Sequence, residues 1–236
     1  MSDDPALGAL LSPREQARAE RIRGRADRAR YVSGHAAARL VLAHVTAADP
    51  AALRFDTTCP RCGGDHGKPR LVGEETVRFS LSRSGDRVAV AVAEGADVGV
   101  DVERVDPVPP SAGPGLAAAA LAPGERAEYE RLPPGTRPWA LLVWWTRKEA
   151  VLKATGDGLA ISPARVEVSA PGTPAALRHW SGPGDVPRVA LADLIRPRYV
   201  AAVAAVGGEP LKVSEHDVDT LLGTVGRPGP RRAARG

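Results

Sequence analysis

Gly99-Val100-Asp101-Val102-Glu103-Arg104 is the stretch from which the rest of the chain can be understood. Valines alternate with acids here, which predicts a strand, and side chains alternate along a strand, so Asp101 and Glu103 point to one side. An isolated Asp-x-Glu is most often just the polar outer face of a sheet. These acids, however, lie near the C-terminal end of a strongly apolar strand, which favours a binding site.

A second stretch, Trp144-Trp145-Thr146-Arg147-Lys148-Glu149-Ala150-Val151-Leu152-Lys153, predicts a helix. Glu149 and Lys153 are four residues apart and share a face. On an exposed helix they would form an ordinary ion pair contributing about 0.3–0.5 kcal/mol. Trp144 and Leu152 instead indicate a largely buried helix, in which charged groups need partners.

A shared divalent cation would give these acids their partners. We predict that Asp101, Glu103 and Glu149 converge on it, and hard oxygen ligands favour Mg²⁺, with Mn²⁺ as an alternative. Lys153 beside such a cation suggests that the site handles phosphate chemistry.

A third group of residues has the chemistry of a phosphate site. Lys68, Arg70 and Arg83, with the hydroxyls of Ser82 and Ser84, are suited to bind phosphate oxygens. Taken alone this signal is weak, because Ser82-Arg83-Ser84-Gly85 is also an ordinary polar turn.

Helical patterns and then strand patterns occur twice along the chain, which predicts an α+β protein of two similar lobes. We place the lobes at 1–105 and 106–210, joined by a proline-rich connection, with a tail at 211–236. Helices are predicted at 12–23, 27–44, 116–121, 124–132, 137–154 and 215–222. Strands are predicted at 53–55, 77–81, 88–93, 98–102, 165–169, 176–180, 188–192 and 199–206.

Composition narrows the class of protein. The chain has 236 residues, a net charge of +4 and two cysteines, which suits a reducing compartment and a core without disulfides. Residues 1–11 lack the pattern of a signal peptide, and no apolar run reaches the ~20 residues of a membrane span. We expect a cytoplasmic monomer with no membrane contact.

The Cys59-Pro60-Arg61-Cys62 segment with His66 has zinc-like spacing, but a structural zinc site needs four ligands. Asp65 or His35 would have to complete it, and we favour a turn with two reduced thiols. Together with the arginine-rich C-terminus this segment also raises nucleic-acid binding as an alternative. The low aromatic content, 4%, argues against single-strand recognition.

Four motifs in order resemble the 4′-phosphopantetheinyl transferases, and in particular their single-chain, surfactin-synthetase-activating type. They are Gly67-Lys68-Pro69, Phe79-x-x-Ser82-x-Ser84-Gly85, Gly99-Val100-Asp101-Val102-Glu103 and Trp145-x-x-Lys148-Glu149-x-x-x-Lys153. The resemblance implies two lobes related by a pseudo-twofold axis, with coenzyme A as co-substrate in the cleft between them. The implied reaction moves the phosphopantetheine arm to a serine of an acyl or peptidyl carrier protein and releases adenosine 3′,5′-bisphosphate.

The resemblance also assigns roles. Asp101, Glu103 and Glu149 would bind Mg²⁺, Glu149 would act as general base, and Lys153 would stabilise the leaving phosphate. Coenzyme A contacts are implied for the following residues: Arg18, Arg30, Lys68, Arg70, Ser82 and Arg83. The chain departs from the family at Arg83, where histidine is usual, so a phosphate-binding role survives there and an acid–base role does not. A non-catalytic relative that binds coenzyme A or a carrier protein remains an alternative.

Overall fold

The computed structural model describes residues 5–105 and 113–218. The helices are α1 (Pro5–Ala9), α2 (Pro13–Arg21), α3 (Arg25–Thr46), α4 (Pro114–Ala120), α5 (Pro123–Arg131) and α6 (Arg137–Thr155). The strands are β1 (Phe55–Thr58), β2 (Asp65–Leu71), β3 (Val77–Ser84), β4 (Arg87–Glu94), β5 (Val98–Arg104), β6 (Val166–Val168), β7 (Leu177–Trp180), β8 (Val189–Arg196) and β9 (Tyr199–Val206). The mixed α+β class and the twofold order of helices followed by strands are as predicted.

A capping box formed by Ser12 and Glu15 marks the start of α2. The Ser12 hydroxyl accepts from the Glu15 amide at 3.3 Å, and the Glu15 carboxylate accepts from the Ser12 amide at 2.8 Å. Pro13 occupies the first turn of α2, where its missing N–H costs nothing. α3 follows after Gly24 and carries Tyr31, Gly34 and His35 toward the strands.

The central sheet has the order β5-β9-β8 and is antiparallel throughout. Asp101 lies opposite Ala202, and Glu103 lies opposite Val200. β9 is buried along nearly its whole length, as its run of valine and alanine predicts. The sheet thus joins a strand from residues 1–105 to strands from residues 113–218.

β3 and β5 are joined by side chains rather than by a backbone ladder, a contact that we call the serine seam. The hydroxyls of Ser80, Ser82 and Ser84 accept from the amides of Val100, Val102 and Arg104 at 3.1, 3.3 and 3.2 Å. Because each partner is twenty residues further on, the two strands run in the same direction. The seam places the Ser82 and Ser84 hydroxyls beside the carboxylates of β5.

α6 packs across β5 and β9, and Gly99 permits its close approach. A Cβ atom at Gly99 would lie 3.0 Å from the Lys153 carbonyl carbon and nearer still to the Ala150 oxygen. Trp144, Val151 and other residues of α6 fill the main core with Ala202 and Ala204 of β9. This packing sets the position along β5 at which Glu149 and Lys153 lie beside Asp101 and Glu103.

Three local predictions were wrong. β2 was not predicted, the strand predicted at 53–55 begins only at Phe55, and residues 215–218 are not helical. The Ser82-Arg83-Ser84 segment, for which a polar turn was the alternative, is strand. The serines form strand because their hydroxyls bond the neighbouring strand instead of their own backbone. Residues 1–4, 106–112 and 219–236 lie outside the described residues. The predicted connection between the lobes and most of the predicted tail fall in these ranges. Across the described residues, no helix is long and apolar enough to cross a membrane.

Candidate active site

The predicted acids come from two elements that pack on each other. Asp101 and Glu103 project from β5, and Glu149 projects from α6. Asp101 is 4% exposed and Glu149 is 8% exposed, while Glu103 is partly buried. Carboxylates buried this deeply are unfavourable unless hydrogen bonds or positive charge compensate them.

Only one of the two carboxylate oxygens of Asp101 has hydrogen-bond partners. Its Oδ1 accepts from the Ser82 hydroxyl at 2.7 Å and from the Lys153 ammonium at 2.7 Å. Its Oδ2 is buried and has no hydrogen-bond partner. Burial raises the pKa of Asp101 above its usual value, although Lys153 and Ser82 oppose the shift.

Glu149 is the most perturbed group of the site. Desolvation, followed by the charge of Asp101, raises its pKa from 4.5 to about 7; Lys153 opposes the shift and Glu103 adds to it. Its Oε1 is buried and has no hydrogen-bond partner. A carboxyl group that titrates near neutrality is well matched to general base catalysis.

Glu103 completes the acidic group from the outer end of β5. Its Oε2 accepts from the Ser84 hydroxyl at 2.6 Å. Burial is the first cause that raises the pKa of Glu103, and the charge of Asp101 adds to it against the opposing Ser84 hydrogen bond. The charge of Asp101 therefore raises the pKa of both other acids, and the charge of Glu103 also raises the pKa of Glu149, as closely spaced like charges do.

The residues present fit a divalent cation, although they are not arranged as a finished cage. Across residues 5–105 and 113–218, the three acids do not bring one oxygen each within 4.8 Å of one another. Two buried carboxylate oxygens, Asp101 Oδ2 and Glu149 Oε1, are nevertheless left without a donor. Unsatisfied buried oxygens in a site deficient in positive charge are what a hard cation would satisfy.

Lys153 lies where the sequence places it, beside the acids. Its ammonium donates to Asp101 Oδ1 at 2.7 Å and to the Val100 carbonyl at 3.2 Å, and its side chain stays 27% exposed. This cation therefore faces both the carboxylates and solvent.

A cluster of arginines gathers where α2 and α3 face β3. Arg83 packs against Gly34, where a Cβ atom would lie 3.1 Å from its Cγ, and stacks over Tyr31 at 5.4 Å. Burial lowers the pKa of Arg83, Tyr31 opposes the shift, and the positive charges of Arg18 and Arg30 add to it. Three of the predicted coenzyme A residues thus share one positive region, although Arg30 also pairs with Asp27.

Of the other predicted contacts, Lys68 lies at the C-terminal end of α6, and Arg70 shares the Asp97 carboxylate with it. The Lys68 ammonium donates to the Ala154 carbonyl at 2.9 Å and to Asp97 at 3.1 Å. Arg70 lies 3.8 Å from the same Asp97 carboxylate. Ser82 uses its hydroxyl inside the protein, because it accepts from Val102 and donates to Asp101.

Sequence reasoning missed the residues that orient α6. Lys148 is fully buried and donates to the Glu125 carboxylate and to the Ala120 carbonyl at 2.7 Å. Arg147, also fully buried, donates to both carboxylate oxygens of Asp193 at 2.9 and 2.6 Å. The sequence did carry a signal for these partners. Arg147, Lys148 and Glu149 are consecutive in an apolar helix and cannot all face one site, so the two cations need buried partners elsewhere.

This chain is similar in sequence to one protein family and to several known proteins. A family profile described as the 4′-phosphopantetheinyl transferase superfamily matches residues 97–204. The 4′-phosphopantetheinyl transferase HetI of Nostoc is 31% identical over 206 residues, which are 86% of this chain and 81% of HetI. A Synechocystis protein, slr0495, provisionally named as such a transferase, is 34% identical over 66% of this chain and 61% of its own length, so the match spans less than two thirds of it. The Chronobacterium ammoniagenes ACPS–CoA complex is 24% identical with a TM-score of 0.39, over 48% of this chain and 98% of that chain.

Proposed function

This chain belongs to the 4′-phosphopantetheinyl transferase superfamily, and on that premise we propose that it moves the phosphopantetheine arm of coenzyme A to a serine of an apo carrier protein. The other product is adenosine 3′,5′-bisphosphate. The observation that carries this proposal is the cluster of Asp101, Glu103, Glu149 and Lys153, in which two buried carboxylate oxygens lack a donor.

The acids are proposed as the holders of Mg²⁺. Asp101, Glu103 and Glu149 would bind the ion, which when bound would offset the negative charge of the coenzyme A pyrophosphate. The raised pKa values of all three acids support this assignment, because burial is the main cause of each shift and a bound cation would stabilise the buried negative charge.

Glu149 is proposed as the general base. Its carboxylate takes the proton of the carrier serine hydroxyl as the serine oxygen bonds to the phosphorus that carries pantetheine. The bond from that phosphorus to the oxygen of the adenosine bisphosphate breaks in the same step. A pKa of about 7 supports this role, since it matches the proton affinity of the base to neutral solution.

Lys153 is proposed to receive the charge that the leaving group acquires. Its ammonium is held by Asp101 and Val100 and still reaches solvent. It can therefore neutralise, or donate a proton to, the departing phosphate oxygen while Asp101 keeps it in position.

Arg18, Arg30 and Arg83 are proposed to bind phosphate oxygens of coenzyme A, and Lys68 and Arg70 are proposed as further contacts. The shared positive region around Arg83 supports the first group. For Ser82 we propose an indirect part, in which its hydroxyl holds Asp101 in place.

For the architecture we propose the single-chain, surfactin-synthetase-activating type, with two lobes related by a pseudo-twofold axis. The repeated order of helices and strands supports this, and the sheet shared by β5 and β9 would then join the two lobes. Carrier proteins of fatty-acid, polyketide and nonribosomal-peptide pathways are all compatible substrates.

The decisive experiment incubates the full chain with coenzyme A, Mg²⁺ and a panel of apo carrier proteins. The expected result is a mass gain of one phosphopantetheine arm on the carrier, which is lost when EDTA replaces Mg²⁺. Glu149→Gln should lower turnover at least about a hundredfold.

The matched control is Glu128→Gln, which changes an exposed glutamate of α5 and should leave turnover unchanged. Absence of both carrier modification and coenzyme A binding would refute the proposal. Coenzyme A binding without transfer to any carrier would instead identify a non-catalytic relative.

A further inference from the structure

The turn between β1 and β2 gathers two thiols and an imidazole that the proposed transfer reaction does not use. Cys59, Cys62 and His66 each offer a ligand atom, and these atoms all lie within 4.8 Å of one another. Over the part of the chain that the structure describes, this is the one group of three or more such side chains that meets this distance. Both cysteines are free thiols.

The backbone folds tightly around these side chains. The Cys59 amide donates to the Gly64 carbonyl at 2.7 Å, and the Gly63 amide donates to the Cys59 carbonyl at 2.8 Å. Gly63 has a φ of +70°, which glycine adopts without strain and other residues do not. The turn therefore holds both cysteine side chains on the same side as His66.

Backbone amides also point at the sulfur atoms. The amide of Gly64 donates to Cys62 Sγ at 3.4 Å. The amides of Arg61 and Cys62 also donate hydrogen bonds to the Cys59 side chain. Such hydrogen bonds stabilise a thiolate, which is the form that binds metal.

We propose that Cys59, Cys62 and His66 bind one Zn²⁺ ion in a site separate from the carboxylate site. Two thiolates and an imidazole are a donor set that zinc prefers and that Mg²⁺ does not. The ligand atoms therefore distinguish the two proposed sites. The carboxylates would bind Mg²⁺, and the thiolates and imidazole of this turn would bind Zn²⁺.

The geometry requires little rearrangement. Cys62 Sγ lies 3.0 Å from His66 Nε2. With Zn–S of about 2.3 Å and Zn–N of about 2.0–2.1 Å at a tetrahedral angle, the two atoms would lie about 3.6 Å apart. An opening of roughly half an ångström suffices, and Cys62 and His66 are both exposed to solvent.

The fourth ligand comes from solvent or a small anion. Asp65 and His35, the candidates from the sequence, are engaged elsewhere: Asp65 contacts Thr57 and Arg14, and His35 stacks on Tyr31. Three protein ligands with one open position form a recognised type of zinc site.

The proposed ion would also brace the contact between this turn and α6. Arg61, between the two cysteines, pairs with Asp157 just beyond the end of α6. Lys68, two residues after His66, bonds the last turn of α6 through Ala154. Closing the turn with a metal fixes the segment that carries both cations, so zinc should stabilise the folded protein.

The test measures zinc in the full chain, purified in a reducing buffer without chelator and without a histidine tag. About one zinc per chain is expected in the wild-type protein by elemental mass spectrometry. Cys59→Ser and Cys62→Ser should each retain less than about a tenth of that amount. His44→Ala, which removes an exposed histidine at the end of α3, should retain all of it.

A second measurement keeps the proposal testable if the variants fold poorly. Wild-type protein stripped with a chelator and titrated with Co²⁺ should develop the absorption of tetrahedral cobalt thiolate, and Zn²⁺ should abolish it and raise Tm. Wild-type protein that binds neither ion under reducing conditions overturns the proposal, and so does zinc content equal to that of the Cys59→Ser, Cys62→Ser double variant. Neither outcome depends on transferase activity.

Discussion

Glu149→Gln should stabilise the metal-free protein at alkaline pH. The folded protein raises the pKa of Glu149 from 4.5 to about 7, a shift of roughly 2.5 units. At about 1.36 kcal/mol per unit, the ionised carboxylate costs roughly 3.4 kcal/mol of folding free energy above pH 7. Glutamine has nearly the same shape and no charge, so the variant avoids this cost.

The pH dependence follows from the direction of the shift. Between pH 4.5 and 7 the folded protein binds more protons at Glu149 than the unfolded chain does, so wild-type stability falls as pH rises through this window. The stability gained by the variant should therefore be close to zero near pH 4.5, grow to pH 7 and stay constant above it. Water penetration reduces the gain, and we expect about 1–3 kcal/mol, or a Tm increase of roughly 2–12 °C.

Thermal unfolding in EDTA at several pH values, followed by circular dichroism, measures this difference. Glu128→Gln is the matched control and should track the wild-type protein at every pH. Added Mg²⁺ should stabilise the wild-type protein more than Glu149→Gln, because the variant lacks one proposed ligand. A variant that is less stable than wild type at pH 8.5, or whose gain is the same at pH 5 and pH 8.5, would refute the reasoning.

Three further predictions concern packing and charge. Gly99→Ala should destabilise the protein by at least about 1–3 kcal/mol, because the new methyl group would overlap the α6 backbone at Ala150; urea unfolding measures this. Arg83→Gln should weaken binding of adenosine 3′,5′-bisphosphate by about tenfold or more in calorimetry, with unfolding little changed. Arg147→Ala should cost about 3–5 kcal/mol in unfolding experiments, because it leaves the Asp193 carboxylate without its guanidinium.

Matched substitutions separate these effects from general damage. Gly115→Ala adds a methyl group that would meet nothing within 4 Å, so it should leave stability unchanged or raise it. Arg178→Gln removes an exposed arginine of β7 and should leave nucleotide binding intact. Equal losses in a test variant and its control would contradict the corresponding prediction.

Strongly periodic segments were predictable from sequence, and so was the location of the acids. The predicted strand at 199–206 coincides with β9, because an uninterrupted apolar run between turn signals leaves little choice. Asp101 and Glu149 are both buried, on elements that pack on each other, and the convergence of all three acids on one cation stays a prediction. The alternation of β5 and the helical spacing of α6 each fixed the side on which these acids project.

What sequence could not supply is the identity of tertiary neighbours. Ser82 looked like a phosphate contact, and only the packing of β3 on β5 shows that its hydroxyl is occupied by Asp101. Lys68 sits against the end of α6, which its spacing in β2 could not reveal. The spacing of the cysteines leaves open whether His66 folds back toward them, and only the structure shows that it lies beside Cys62.

The serine seam makes the two edges of β5 chemically unequal. Successive amides of a strand point to opposite edges, so those of Val100, Val102 and Arg104 donate to rotatable hydroxyls, while the alternate amides face β9. Hydrogen–deuterium exchange should therefore show a two-residue rhythm along this strand, with the seam amides losing their protons sooner. The backbone of β5, which carries Asp101 and Glu103, would then be held firmly along the border with β9 and could adjust along the border with β3.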